Sequence, residues 1–309
     1  MFTVVGEILL DLIEHPVGRT VAHPGGSPAN VAIALARLGR SVNLLTQLSD
    51  DQHGDLLRAH LRDNGVNLAP GSLLDCPRTS TARTTLTADG HANYTFDIEW
   101  QRFTGLAAGW LDPTVDCVHT GSLAAMLPPG ADDVATLMHA ARETSMISYD
   151  PNCRPSLIDD PRSARDRVET LVATSDIVKT SLDDLAWLYP QRPYQDVGHD
   201  WVDRGVGIAV VTLGGDGAWA CTRHRETRVA AYPIRVVDTV GAGDAFTAGL
   251  LTSLSRADLL GAARREALHP IDDATLVHVL SFASRVAALT CGRRGADPPT
   301  LADLLTAQA

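Results

Sequence analysis

Hydrophobic and polar positions alternate along this chain with two periods. The opening "FTVVGEILLDLI" is β-rich and starts without a helix cap, which predicts a core strand. "GGSPANVAIALARLG" follows His23 and Pro24, carries apolar residues at helical spacing from Val31 to Leu38, and is stopped by Gly39. "SVNLLTQLSDD" predicts a strand, and "QHGDLLRAHLRDNGV" a helix closed by Gly65. The same rhythm returns later. "VDCVHTGSL", "SMISYDPN" and "DIVKTS" predict strands, while "PPGADDVATLMHAARET", "PRSARDRVETLVATS" and "LDDLAWLY" predict helices. "GIAVVTLGGDGAWACT" reads as a strand, a glycine turn and a return strand. "YPIRVVDTV" reads as a strand, "DAFTAGLLTSL" as a helix starting near Asp244, and "ATLVHVLSFASRVAALTC" as another helix. Strand–helix alternation of this kind predicts an α/β fold with a mostly parallel sheet and helices on its faces.

The rhythm breaks once. Between about Ser80 and Trp100, "ARTTLTADGHANYTFDIEW" holds two alternating runs around Asp89-Gly90, a hairpin turn signal, and so predicts a small sheet standing off the core. No internal repeat, low-complexity segment or long linker divides the 309 residues, so one architecture is expected.

Composition narrows the functional classes. The formal net charge is -11, without a dense Lys/Arg run, which argues against nucleic acid or an anionic membrane as the main partner. Five cysteines, Cys76, Cys117, Cys153, Cys221 and Cys291, are scattered without zinc-site spacing, which suits free thiols in a reducing compartment. The N-terminal stretch lacks a positive n-region and carries Glu7, Asp11 and Glu14. The expected location is therefore cytoplasmic.

The densest chemistry lies in "DTVGAGDAF". The turn Gly241-Ala242-Gly243 precedes a helix whose first N–H groups lack intrahelical partners, and small residues let an anion approach them. Asp244 stands at the mouth of that site. Two readings are open at this point: a helix cap, or a general base beside an anion cradle suited to phosphoryl transfer. No GxxxxGK[ST] occurs, which excludes a P-loop, and "GAGDAF" lacks the third glycine of a dinucleotide fingerprint.

"DTVGAGDAF" resembles the C-terminal signature of the ribokinase (PfkB-type) carbohydrate kinases, and "PGGSPANVAIALARLG" resembles their N-terminal one. "GEILLD", "ARTTL", "ADG" and "SYDPNCRPSL" add to the likeness, which is greatest to the fructokinase-like branch and covers essentially the whole chain. It implies a ribokinase-like, doubly wound, mostly parallel sheet flanked by helices, forming a single kinase domain over 1–309. A small β-sheet lid would come from about 12–22 and 81–103. The activity implied is ATP-dependent phosphorylation of a sugar hydroxyl, with fructose as the leading acceptor. Kinases for 2-keto-3-deoxygluconate, ribose or a nucleoside, and a non-catalytic sugar sensor, are the alternatives.

The resemblance also assigns residues. Asp244 matches the catalytic base, and Gly241, Ala242 and Gly243 match its anion hole. Asp11, Gly25, Gly26 and Asn30 match the sugar-binding set, and Arg154 an arginine near the transferred phosphate or acceptor. Thr212, Gly214 and Gly217 match the nucleotide segment, and Ser284 stands where relatives often have Asn in the adenine pocket. Asp238 matches a residue holding a monovalent cation, so potassium joins ATP and magnesium as a cofactor. Relatives carry Asn-x-x-Glu where this chain has Ser181 and Asp184, which leaves Asp184 to organise magnesium through water on a shorter arm. Asp97 and Glu99, in "FDIEWQRF", are expected to face the acceptor and to favour a neutral sugar. Trp100 is expected to pack in the lid core or against a sugar face, and an exposed lid face to pair with a second subunit.

Overall fold

The computed structural model describes residues 1–14, 20–86, 92–103, 110–158 and 160–306. In chain order the first half runs β1 (Phe2–Val5), β2 (Leu9–Glu14), β3 (Thr20–Gly25), α1 (Ser27–Arg37), β4 (Val42–Leu45), β5 (Gln47–Ser49), α2 (Gln52–Asp63), β6 (Asn67–Leu68), β7 (Leu73–Cys76), β8 (Thr81–Leu86), β9 (Ala92–Asp97) and β10 (Cys117–Gly121). It continues with α3 (Ser122–Met126), α4 (Gly130–Ala141), β11 (Met146–Asp150), α5 (Pro161–Val172), β12 (Ile177–Ser181), α6 (Leu182–Leu188), α7 (Tyr194–Asp203) and β13 (Ile208–Thr212). The last elements are β14 (Ala218–Cys221), β15 (Glu226–Val229), α8 (Ala242–Arg256), α9 (Asp273–Cys291) and α10 (Leu301–Thr306).

The main sheet has the order β15-β14-β13-β12-β11-β10-β1-β4-β6. Its pairings are parallel from β6 to β13 and antiparallel only from β13 to β15. Side chains alternate across it, so Phe2 and Val4 enter one core with α1, α2, α8 and α9. Val5, Val118 and Ile147 enter a second core with α4, α5, α6 and α7. These two layers are the doubly wound arrangement expected from the strand–helix rhythm. By length and apolarity α9 could cross a membrane, yet it packs along α8 and contributes Leu276, Val279, Leu280 and Ala283 to the first core.

A four-stranded sheet, β3-β2-β8-β9, stands apart from the main one. β8 and β9 are the antiparallel hairpin read from the sequence, although its Asp89-Gly90 turn lies outside the described residues. Three elements differ from expectation. "FTVVGEILLDLI" is two strands: β1 lies in the main sheet, and after Gly6 the chain turns so that β2 joins the small one. "SVNLLTQLS" likewise divides into β4 and β5, with β5 pairing β7. "YPIRVVDTV" forms no ladder; Ile234, Val236, Val237 and Val240 are exposed along an extended segment. Its β-branched residues satisfy strand propensity, but its backbone is engaged by the end of α9, where Val237 N and Asp238 N donate to Cys291 O at 2.8 and 3.1 Å.

Candidate functional site

The carboxyl ends of the parallel strands carry the polar residues, the position where open α/β sheets bind ligands. Here the N-termini of α1 and α8 converge, and the helices pack side by side. Gly26 and Gly241 are their N-caps. Both have positive φ, 101° and 75°, which favours glycine, and α8 begins at Ala242, two residues before the expected start.

Asp244 lies in the first turn of α8 and is 6% exposed. Ser27 Oγ donates to its Oδ1 at 2.7 Å, and Asn30 Nδ2 donates to its Oδ2 at 2.8 Å. Asn152 Nδ2 in turn donates to Ser27 Oγ at 2.7 Å and lies 3.5 Å from Asp244 Oδ1. Asn152 has φ 37°, a left-handed conformation that Asn tolerates better than most residues. The carboxylate is thus fixed from three directions while its own helix end points backbone N–H groups the same way. Ser27 and Asn152 were not singled out in the sequence; a polar residue at the start of a helix reads there only as a capping signal.

Two cavities meet at the 241–244 turn. The smaller, about 140 Å³, is lined by Glu7, Asp11, Gly26, Asn30, Arg154 and Asp244 among others. Burial raises the Asp11 carboxyl above its ordinary range, against the opposing pull of His23 and Arg154. A Cβ on Gly25 would lie 2.2 Å from Asp11 Oδ2, so the glycine is what lets that carboxylate sit where it does. Arg154 Nη1 donates to the Asn152 carbonyl at 2.8 Å and to Asn152 Oδ1 at 2.6 Å, tying the arginine to the loop that reaches Asp244. Glu7, which the sequence reading left unassigned, is 3% exposed and accepts from Ala124 N at 2.8 Å; burial pushes its carboxyl up to about 7.

The larger cleft, about 730 Å³, is lined by Lys179, Asp184, Thr212, Gly214, Gly217, Ala242, Gly243 and Ser284. Gly214 and Gly217 have φ 56° and 93°, and a Cβ on Gly217 would strike Val229 O at 2.0 Å. Ser284 Oγ accepts from Tyr232 N at 3.2 Å, pinning the extended 231–240 segment against α9. The four residues read as nucleotide-binding therefore share one cleft. Asp184 Oδ1 accepts from Cys153 N at 2.8 Å and Oδ2 from Ser181 Oγ at 2.6 Å, while Ser181 caps α6 through Asp184 N at 3.0 Å. Asp238 accepts from Gly295 N at 2.8 Å and Val240 N at 3.1 Å, and these donors hold its carboxyl below the usual range. Among the described residues no group of three or more His, Cys, Asp or Glu is arranged as a metal cage.

Asp97, at the end of β9, and Glu99 just beyond it do not line the smaller cavity. Asp97 and Glu99 are paired with Arg78, at 2.9 and 3.0 Å, because the turn before β8 brings that arginine across the sheet. Trp100 is buried, donates from Nε1 to Ala124 O at 3.1 Å, and meets Phe103 edge to face in the second main core. The smaller cavity is therefore walled by Asp11, Glu7 and Arg154 and not by Asp97 and Glu99.

The sequence matches the model of the pfkB family carbohydrate kinases over residues 1–303. It is 34% identical over 267 residues to the fructokinase of Rhizobium leguminosarum bv. trifolii, covering 84% of this chain and 81% of that one. Among solved structures it is similar to the ATP-bound fructokinase of Xylella fastidiosa, with TM-score 0.87 and 25% identity, covering 99% and 97% of the two chains. It is also similar to a Vibrio cholerae fructokinase double mutant bound to fructose, ADP and potassium, with TM-score 0.79 and 26% identity over 96% and 93%.

Proposed function

The chain belongs to the pfkB family of carbohydrate kinases and is a sugar kinase that draws its phosphate from ATP; we propose that its acceptor is fructose. The observation that carries the reading is Asp244, held by Ser27 and Asn30 where the two cavities meet. In this reading the sugar occupies the smaller cavity against Asp11, Asn30 and Arg154, with Gly25 and Gly26 giving its oxygens access to backbone. The triphosphate lies along Thr212, Gly214 and Gly217, with the adenosine toward Ser284.

Asp244 accepts the proton of the attacking hydroxyl as that oxygen bonds to the terminal phosphorus. The bond from phosphorus to the bridging oxygen breaks, ADP departs, and the sugar phosphate leaves with the group. With Ala242 N donating to Thr239 O at 3.2 Å, the N–H groups of Gly241 and Gly243 are the ones left to face the negative charge spread over the transferring group. A hydroxyl is a poor nucleophile while protonated, so fixing the base matters as much as having it. With both oxygens engaged by α1, Asp244 can approach the hydroxyl in only one orientation.

A divalent ion is part of this chemistry, and we assign magnesium. Magnesium typically keeps several waters and takes one or two carboxylates plus substrate phosphates. That habit fits a cleft with Asp184 on its wall and, among the described residues, no protein cage. Asp184 would hold it through water, and the ion would neutralise phosphate charge. Asp238, kept ionised by its backbone donors, is the proposed holder of a monovalent cation beside the turn. The sheet β3-β2-β8-β9 is the proposed lid of this single-domain enzyme; its closing over the sugar would keep water from the phosphoryl group. The outer face of that lid is the proposed dimer contact.

The test is ADP release with magnesium against fructose, glucose, ribose, 2-keto-3-deoxygluconate and a nucleoside, with and without potassium. Fructose should give the highest kcat/KM, and Asp244→Asn should lower kcat about 10²–10⁴-fold. Preference for another acceptor would overturn the fructose assignment, and sugar binding without any ADP release would favour a sensor.

A further inference from the structure

Helix α1 reaches the 238–244 segment twice. Its first turn presents Ser27 and Asn30 to Asp244. Its last turn carries Arg37, seven residues after Asn30. Seven residues are two helical turns, so Asn30 and Arg37 lie on one face of α1, about 10 Å apart along its axis. The face that fixes the base therefore also carries a guanidinium.

That guanidinium is spent on distant partners. Its Nε donates to Oδ1 of Asn64, the C-cap residue of α2, at 2.8 Å. Its Nη1 donates to Asp297 Oδ1 and, at 2.7 Å, to Pro298 O, which lie 260 and 261 residues along the chain. Both acceptors belong to the loop after α9. Arg293 reaches the same two residues only at 3.4 Å, so Arg37 makes the closer contact.

The loop is the back wall of the anion turn. Gly295 N donates to Asp238 Oδ2 at 2.8 Å and is first among the donors that hold that carboxyl below its usual range. A Cβ on Gly241 would lie 2.7 Å from Ala296 Cβ and 2.9 Å from Ala296 Cα, so turn and loop pack without a gap. Asp297 N closes on Gly295 O at 2.9 Å, which places the residue held by Arg37 beside the two that touch the turn. Residues 292–300 form neither helix nor strand, so long-range bonds decide where the loop sits.

We propose that Arg37 is a positioning residue for the 238–243 segment: by clamping Asp297 and the Pro298 carbonyl to α1, it holds Gly295 and Ala296 behind Asp238 and Gly241 and sets the affinity of that corner for a monovalent cation. Arg37 touches neither cation nor substrate. The inference rests on the kinase reading above and its cation assignment. In the sequence Arg37 is one more basic residue in a last helical turn, where it suits the helix dipole.

A purely structural ion pair makes a different prediction. The Arg37 and Asp297 side chains are 23% and 45% exposed, and a pair of that kind adds a little stability and nothing else. The experiment compares wild type, Arg37→Gln, Asp297→Asn, their double variant and Arg264→Gln, which breaks the exposed pair with Asp258 at the opposite end of α8. Potassium replaces choline at constant ionic strength, first in thermal melts without nucleotide or sugar, then in turnover. Losing the clamp leaves the held loop a minority state, and apparent affinity falls by that fraction. Arg37→Gln should therefore raise half-saturating potassium about tenfold in melts and turnover alike. Its kcat should fall at low potassium and return to within about twofold of wild type at saturation, with the sugar KM unchanged. Asp297→Asn should shift the same way, and the double variant no further than the larger single one, because the clamp is one unit. Arg264→Gln should leave the potassium midpoint where it is. A lowered melting temperature with an unchanged midpoint in both Arg37→Gln and Asp297→Asn would overturn the proposal, as would a loss of kcat that no potassium concentration restores. If wild type melts alike in potassium and choline, the cation assignment fails and this inference with it. If wild type releases no ADP with any sugar, the kinase reading fails, and the melts still decide the role of Arg37.

Discussion

The two ends of the parallel sheet treat buried carboxylates differently. At the amino ends of the strands, Asp176 precedes β12 with its side chain 1% exposed. Its Oδ1 accepts from Arg142 at 3.0 Å and Arg265 at 2.6 Å, and its Oδ2 from Ile147 N at 2.8 Å. Arg265 spends further donors on the carbonyls of Arg142 and Ser145, each at 2.9 Å. At the carboxyl ends, Asp150 is just as buried, yet one of its oxygens is bare, and burial pushes its carboxyl up to about 6. Both are aspartates at the ends of neighbouring strands. One is closed by protein donors and holds the fold together; the other keeps an unpaired oxygen and pairs with the lysine that lines the larger cleft. The difference teaches that burial alone does not mark a functional charge, whereas incomplete pairing beside a cavity does.

The largest effect should come from the open end. Asp244→Asn removes the base while keeping the side chain's size, and kcat should fall about 10²–10⁴-fold, equivalent to ~3–5 kcal/mol. Steady-state ADP release, with circular dichroism as the check on folding, measures it. Retained turnover would remove the functional meaning of that end.

The closed end should respond in the opposite currency. Asp176→Ala leaves two partly exposed guanidinium groups without their carboxylate and the Ile147 N–H without its acceptor, and should cost about 1–3 kcal/mol of stability, with kcat per folded molecule unchanged. Urea unfolding followed by an activity assay on the folded fraction separates the two. A fall in kcat without a fall in stability would break the comparison.

Glu7 sharpens it through pH. Its folded pKa of about 7 lies above the ordinary 4.5 because burial disfavours the charged form. The stability it contributes is complete below about pH 4.5 and is lost as pH rises through 7, a total of ~3 kcal/mol. Glu7→Gln can still accept from Ala124 N and cannot ionise. Between pH 5 and pH 8 the wild type should therefore lose stability relative to the variant in urea melts; parallel curves would contradict this.

The smallest effect expected is steric. In Gly25→Ala the new methyl group must displace the Asp11 carboxylate, 2.2 Å from its position. The sugar KM should rise about tenfold, ~1.4 kcal/mol, while the KM for ATP holds. Equal changes in both would mean that Gly25 serves the fold and not the acceptor cavity.

Much of this protein was legible from its sequence because local pattern determines local structure. Apolar spacing at 3.6 residues specified α1, α4, α5 and α9, and Gly39 and Gly65 follow α1 and α2 with φ 78° and 75°. Alternation around Asp89-Gly90 specified the β8–β9 pair, and the strand–helix rhythm specified the two-layered sheet. The paired signatures around Asn30 and Asp244 pointed to the two helix N-termini that the fold brings together.

What only the tertiary structure decided were relations between segments with no pattern in common. The periodicity of "FTVVGEILLDLI" is continuous across Gly6, so nothing local announces that β1 and β2 belong to different sheets. "YPIRVVDTV" has the composition of a strand, but two of its backbone donors are taken by the end of α9, a helix that begins 33 residues later. Ser27 reaches Asp244 across 217 residues, and Arg78 neutralises Asp97 and Glu99 from a turn before β8. Lys179 and Asp150 read, one by one, as ordinary strand residues. They pair only because parallel crossovers set β11 beside β12 under the first turn of α8. Periodicity encodes which face of an element is buried; which charges then face one another is decided by where the chain crosses itself.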